Sequence, residues 1–185
     1  ELWSPDNPRL YDVAAQFGTD RVADRIGFRR IERQGTSLSL NGRPLALRGL
    51  CVHEDDRDTG RVTCESDIRR RFAHLRELGA NVARLSHYPH HELVAKIADE
   101  EGMLLWEEIP VYWAISFDNP HTFDNARNQL CELIRRDANR ASVILWGVGN
   151  ENADTEARLA FMTGLTKVAR AEDASRLIAA ACLIN

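Results

Sequence analysis

The chain is poor in the features that announce several common classes. Lysine is nearly missing, with 2 residues against 22 arginines. The 24 basic residues are outnumbered by 28 acidic ones, for a formal charge of −4. That balance excludes the basic face of a general nucleic-acid binder. No apolar run approaches the roughly 20 residues of a membrane-spanning helix, and no basic-then-apolar leader opens the chain. The four cysteines, Cys51, Cys64, Cys131 and Cys182, form no C-x-x-C pair. A zinc ribbon and a dithiol redox motif are therefore unsupported. Scattered cysteines of this kind read as small buried hydrophobes in a reducing, cytoplasmic compartment. No glycine-rich phosphate loop follows the first long apolar run.

What is present is an ordinary globular composition, 44% hydrophobic and 28% charged over 185 residues. That length predicts about one domain with part of a second. Residues 10–17 alternate apolar and polar, residues 21–31 continue in the same manner, and Leu38 and Leu40 alternate with serines. Asn41-Gly42 then supplies a two-residue hairpin signal. Beyond it the pattern becomes short apolar runs at 45–50, 81–85, 103–106, 143–148 and 177–183.

Between the runs lie helical stripes. Ile68, Phe72, Leu75 and Leu78 form one, starting after Ser66 and stopped by Gly79. Leu93, Ile97 and Ala98 form a second that stops at Gly102, and Ala126, Leu130, Leu133 and Ile134 a third. Leu159, Met162, Leu165 and Val168 form a fourth, started by Asp154 or Thr155. Doubly buried strands separated by amphipathic helices predict a parallel α/β sheet. A five-stranded doubly wound sheet fits the length. Polar residues gathered after nearly every strand instead favour part of a (β/α)8 barrel, whose chemistry sits at the strands' C-terminal ends.

The sharpest candidate is Glu151, which ends the run that begins at Val143. A carboxyl group at the mouth of a buried strand is expected in a partly desolvated cleft, where the protonated form is favoured and a general acid is at hand. Asn150 beside it offers an amide to a hydroxyl-rich ligand, although an Asn-Glu pair also suits the capping of a following helix. Arg84 and His87 follow the second strand of the run series. His87, His90 and His91 lack the spacing of a helical metal motif, so no metal is expected there. His53 and Glu54 follow the first strand. Glu107 and Glu108 end the third, ahead of Tyr112 and Trp113, whose rings suit a sugar face or a core.

These segments together resemble a known family. Leu47-Arg48-Gly49-Leu50-Cys51-Val52-His53-Glu54-Asp55, Gly79-Ala80-Asn81-Val82-Ala83-Arg84-Leu85-Ser86-His87-Tyr88-Pro89, and residues 142–151 are similar to the barrel signatures of glycoside hydrolase family 2. That family contains β-galactosidases, β-glucuronidases and β-mannosidases. Leu2-Trp3-Ser4-Pro5-Asp6-Asn7-Pro8-Arg9-Leu10-Tyr11 and Ile26-Gly27-Phe28-Arg29 resemble the end of the immunoglobulin-like sandwich that precedes the barrel.

The resemblance implies a division at residue 35. Residues 1–35 would be the last strands of the sandwich and residues 36–185 the first five strands of the barrel. It implies Glu151 as the acid/base carboxylate and Asn150 as the amide on the sugar 2-hydroxyl. Arg84, His87, His53, Glu54, Glu108 and Tyr112 would be substrate-site residues. Cys51-Val52 departs from the family's usual Asn and basic or aromatic residue. Ile109-Pro110-Val111-Tyr112 lacks the later Glu and His that hold magnesium in some β-galactosidases, so no metal or other cofactor is expected. The family's nucleophile belongs to the seventh strand. The chain is therefore expected to be a fragment of a retaining β-glycosidase, inactive alone and self-associating through its exposed barrel edges. A non-catalytic carbohydrate-binding half-barrel is the alternative. An inverting pair of Glu151 with Glu54 or Glu108 is a third possibility.

Overall fold

The computed structural model describes residues 1–61 and 63–183. It opens with an antiparallel hairpin, β1 (Tyr11–Phe17) and β2 (Asp20–Ile26), turned at Gly18 with φ +59°. A three-stranded antiparallel sheet follows, β3 (Ile31–Gln34), β4 (Ser37–Leu40) and β5 (Arg43–Leu45). Asn41 and Gly42 have φ +54° and +76°, as a two-residue turn matched to the strand twist requires.

The remainder is one parallel sheet, β6 (Gly49–Val52), β7 (Val82–Leu85), β8 (Leu104–Glu108), β9 (Val143–Asn152) and β10 (Leu177–Cys182). Its crossovers carry α1 (Glu65–Glu77), α2 (Glu92–Glu101), α3 (Pro120–Asp137) and α4 (Glu156–Glu172). The strands lie side by side in chain order. A doubly wound sheet reverses its strand order at a switch point, and this sheet has none. Sequential order is the topology of a partial (β/α)8 barrel.

The helices bury one face each against the outside of the sheet. Ile68, Phe72, Ile97, Leu130, Ile134 and Leu165 pack there with Leu105 and Trp146. A second cluster closes the strands' N-terminal end. Trp3, Ile31 and Leu40 meet Val82, Leu104, Ala141 and Ile144, which lie at or near the starts of β7, β8 and β9. Trp3 is wholly buried, and its indole N–H donates to the Asp99 carbonyl at 2.8 Å. Among the described residues no helix is long and apolar enough to cross a membrane.

Several expectations need correction. The run 45–50 is not one strand: Leu45 ends β5, and the parallel strand begins at Gly49. The first helix starts at Glu65 rather than after Ser66, because Asp67 reaches back to accept the Cys64 backbone N–H at 3.2 Å. Leu78 and Leu159 fit the helical period but are exposed, since α1 ends before Leu78 and α4 turns Phe161 and Ala169 inward instead. The cysteines are not buried hydrophobes: Cys51, Cys64 and Cys182 are exposed and Cys131 is half-buried.

Candidate active site

The C-terminal ends of β7, β8 and β9 are tied together by a single arginine. Arg84 pairs in register with Trp106, and its guanidinium lies 4.4 Å from the indole centroid. From there Nε donates to Glu108 Oε2 at 2.9 Å and Nη2 to Glu108 Oε1 at 3.2 Å. Nη2 also donates to Asn150 Oδ1 at 2.7 Å. His87, joined to Ser86 by a cis peptide, bonds the same Glu108 carboxylate through Nδ1. Glu108 is 1% exposed, so this forked, charge-assisted clamp is what makes its burial tolerable.

Strand alternation separates the two consecutive glutamates of β8. Glu108 shares the inner face with Trp106, whereas Glu107 is turned toward the helices. There burial holds the Glu107 carboxyl well above its ordinary range, and the Asp137 carboxylate pushes the same way. The two therefore do not act as a pair in one cleft.

Beyond β8, residues 109–113 run beside the end of β9. The Asn150 N–H donates to the Val111 carbonyl at 2.8 Å, and the Trp113 N–H to the Asn150 carbonyl at 3.0 Å. Plain alternation would send Glu151 away from Asn150. Glu151 instead takes φ +50°, a left-handed conformation that costs a non-glycine residue about 1–2 kcal/mol. Its carboxylate thereby lines the cleft that His87 also lines, and its Oε2 accepts the Trp113 indole N–H at 3.0 Å. Glu151 does not cap the next helix, because Thr155 does, its hydroxyl accepting the Arg158 N–H at 3.1 Å.

The cleft measures about 520 Å³ and is lined by His53, Arg61, His87, Tyr88, Pro110, Tyr112, Trp113 and Glu151. Its walls are rings: His87 lies 5.6 Å from His53 and 5.9 Å from Tyr112, and Tyr112 stands edge-on to Trp113 at 5.8 Å. Arg61 lies 5.0 Å over Tyr88 and 3.3 Å from Asp55. A carboxylate, a cation and apolar ring faces around one cavity suit a hydroxylated ring such as a sugar.

The structure thus gathers His53, His87, Tyr112 and Glu151 at one cleft, with Arg84, Glu108 and Asn150 locked beneath them. Glu54 is not among the residues lining that cleft, and its Oε1 accepts the His91 N–H at 2.8 Å, tying the loop after β6 to the start of α2. Glu151 is exposed, so these residues do not supply the partly desolvated setting expected of it. The other two histidines of the cluster are also employed locally. The buried His90 ring bonds the Ser86 carbonyl at 3.1 Å, and His91 Nδ1 caps α2 by accepting from Leu93 at 3.1 Å. Sequence reasoning missed Arg61 and Asn152. Arg61 sits among charges that read as a solvated loop. Asn152 sits two residues past Asn150, but the left-handed Glu151 between them breaks the alternation and leaves the Asn152 amide on the side of Gly149 and Met162, so spacing gave no usable signal.

Comparison with known proteins fits this geometry. The family model for the TIM barrel domain of glycosyl hydrolases family 2 matches residues 31–181. The chain belongs to that family. A putative β-glucuronidase of Formosa agariphila is 32% identical over 95% of the chain and 23% of its own length. A β-galactosidase of an Arthrobacter species is 33% identical over 95% of the chain and 18% of its own length. Among solved structures, a family 2 β-galacturonidase of Eisenbergiella tayi, bound to galacturonate, superposes with a TM-score of 0.92 at 34% identity. That match covers 97% of this chain and 33% of the other. The family 2 chain described here therefore spans between 18% and 33% of the length of these relatives.

Proposed function

We propose that this chain is the acid/base half of a retaining β-glycosidase whose substrate carries a sugar carboxylate. The observation that carries the reading is Glu151, an exposed carboxylate at the rim of a ring-walled cleft whose floor is already neutralised. Glu151 protonates the glycosidic oxygen as the bond to the sugar breaks, then takes a proton from the water that releases the sugar. Asn150, held by Arg84, presents its amide to the sugar, and Tyr112 offers a ring face.

Glu151 is the one carboxylate lining the cleft among the described residues. Glu108 is saturated by Arg84 and His87, and Glu54 is turned to His91, so an inverting pair within the chain is disfavoured. The nucleophile, about 5 Å from the acid/base in a retaining enzyme, then comes from residues beyond this chain. The 185 residues alone are accordingly proposed to be inactive. They are also proposed to self-associate, because among the described residues the sheet ends at β6 and β10 with no further strand paired to either.

The substrate class rests on Arg61. Arg84 is bound below through Nε and Nη2 to Glu108 and Asn150, and among the described residues Arg61 is the guanidinium lining the cleft. Its ion pair with Asp55 is exposed and contributes little, so the fork is available to a uronate carboxylate. Relatives named as β-glucuronidases and a β-galacturonidase support the same reading. The test is kcat/KM of the full-length enzyme on matched aryl β-uronosides and β-galactosides, with and without Arg61→Met. Preference for the uronoside by about tenfold or more, lost in the variant, is expected for one charge-assisted contact. A galactoside preference, or a variant that keeps the ratio, contradicts the substrate class. Affinity without turnover of either identifies a binding module.

A further inference from the structure

The segment after β8 is fixed to the end of β9 more firmly than a connecting loop requires. Besides the two main-chain bonds at Asn150, the Asn152 amide donates to the Trp113 carbonyl at 3.0 Å and to the Val111 carbonyl at 3.5 Å. Asn152 is 3% exposed. A Cβ at Gly149 would stand 2.6 Å from its Oδ1, so only glycine leaves the amide this room. The result is a buried side chain whose donor holds two backbone carbonyls of the neighbouring segment.

The residue it holds is unusual in two ways. Trp113 takes φ +56°, a left-handed conformation poorly suited to a bulky side chain. The residue is nevertheless 63% exposed, so burial does not compensate the backbone. Beside the edge-on contact with Tyr112, the conformation brings the indole N–H onto Glu151 Oε2 at 3.0 Å. Glu151 lies in the left-handed region as well, at φ +50°. Two disfavoured backbone conformations thus meet across one hydrogen bond, and residues held in such conformations concentrate where strain serves a site.

We propose that Trp113 is a positioning residue for the Glu151 carboxyl group and that Asn152 is the clamp that sets Trp113. This rests on the assignment of Glu151 as the acid/base. With Oε2 held by the indole, Oε1 is the oxygen left to face the cleft. The proton on Oε1 moves to the glycosidic oxygen, which takes the electron pair of the breaking carbon–oxygen bond. The anomeric carbon is taken by the carboxylate nucleophile proposed above. The indole N–H then faces the anion left on Glu151 and stabilises it as it forms. Proton donation matters most for leaving groups that depart poorly, so a loss of positioning has a signature that general weakening of the fold lacks.

The experiment uses the full-length enzyme and two substrates, a methyl β-uronoside and a dinitrophenyl β-uronoside, whose leaving group departs without help. Trp113→Phe removes the donor and keeps a ring at an exposed position, so folding is not at issue. It is expected to lower kcat/KM, which reports the bond-breaking step, on the methyl substrate by about tenfold or more, while kcat/KM on the dinitrophenyl substrate changes less than about threefold. Asn152→Ala is expected to repeat the pattern more weakly. Equal losses on both substrates, or no loss on either, overturn the proposal. Glu151→Gln, run beside them, keeps the two claims apart. If it spares the methyl substrate, the acid/base reading falls. If it abolishes that turnover while Trp113→Phe does not touch it, the positioning claim falls alone.

Discussion

Both ends of the parallel sheet hold buried charge, and they use it differently. At the N-terminal end arginines hold main chain. Arg176 donates to the carbonyls of Val143, Ala138 and Arg140 at 2.8, 2.9 and 2.7 Å, and Arg29 to those of Ala141 and Val143 at 3.0 and 2.5 Å. Burial pulls the Arg29 guanidinium down to about 10. Arg140 completes the set, paired with Asp24 and, at 3.3 Å, with Asp99. Every guanidinium there ends on protein. At the C-terminal end Arg84 holds side chains, Glu108 and Asn150, and the network stops at Glu151, which is exposed with one donor. The same chemistry closes one end and leaves the other open to a ligand, which is how a barrel separates stability from catalysis.

Substituting the central arginine of each end breaks the comparison most sharply. Arg84→Met strands a buried carboxylate, and loss of one partner of such a pair costs about 3–5 kcal/mol. Thermal unfolding of the full-length enzyme should show that loss, with turnover falling as well. Arg176→Met should cost a similar amount, because Asp173, which Arg176, Ser175 and Trp146 hold below the usual carboxylate range, loses one of its donors. Turnover per folded molecule should then stay near the parent's. A fall of turnover in both variants would erase the distinction between the ends.

A smaller effect reads the base through pH. Burial raises the Asp99 carboxyl to about 6, against the Ser142 donors and Arg140 that lower it. Its folded value exceeds its unfolded one, so the stability it contributes is full below about pH 4 and is lost as pH rises through 6. The amount is on the order of 3 kcal/mol. Asp99→Asn, a mimic of the protonated acid, should flatten the fall in unfolding temperature between about pH 4 and pH 6. An unchanged slope would place the titration elsewhere.

The smallest effect concerns the helices. Leu78→Gln should change stability by less than about 0.5 kcal/mol, whereas Phe72→Ala in the same stripe should cost about 3–5 kcal/mol. Denaturation midpoints of the two variants check it. A large effect at Leu78 would mean that this face is covered in the full-length protein.

Leu78 also marks where the sequence stops being legible. Period alone places it with Ile68, Phe72 and Leu75, but α1 ends at Glu77 and frees it. The five strands, the four helices and the Asn41-Gly42 turn were legible because each follows from local pattern. At the site, the strand-end position of Glu151 and the nearness of Arg84, His87, Glu108 and Asn150 were readable from spacing and resemblance. Three things were not. Glu54 and Glu108 look equivalent in sequence, yet one staples a helix start and the other sits under an arginine fork. The left-handed turns at Trp113 and Glu151 break the alternation that sequence reasoning assumes. Buried Asp99, Arg140 and Arg176 look like surface charges until tertiary contacts supply their partners.

The central claim is that Glu151 is the proton donor and base of a retaining enzyme. Its most direct test is the full-length Glu151→Ala variant on a dinitrophenyl β-uronoside with added azide. Azide is a nucleophile that needs no base, and it fits the space a carboxylate vacates. The account predicts that azide accelerates turnover and yields the β-glycosyl azide, with configuration retained. No acceleration, or an α-glycosyl azide, would contradict it.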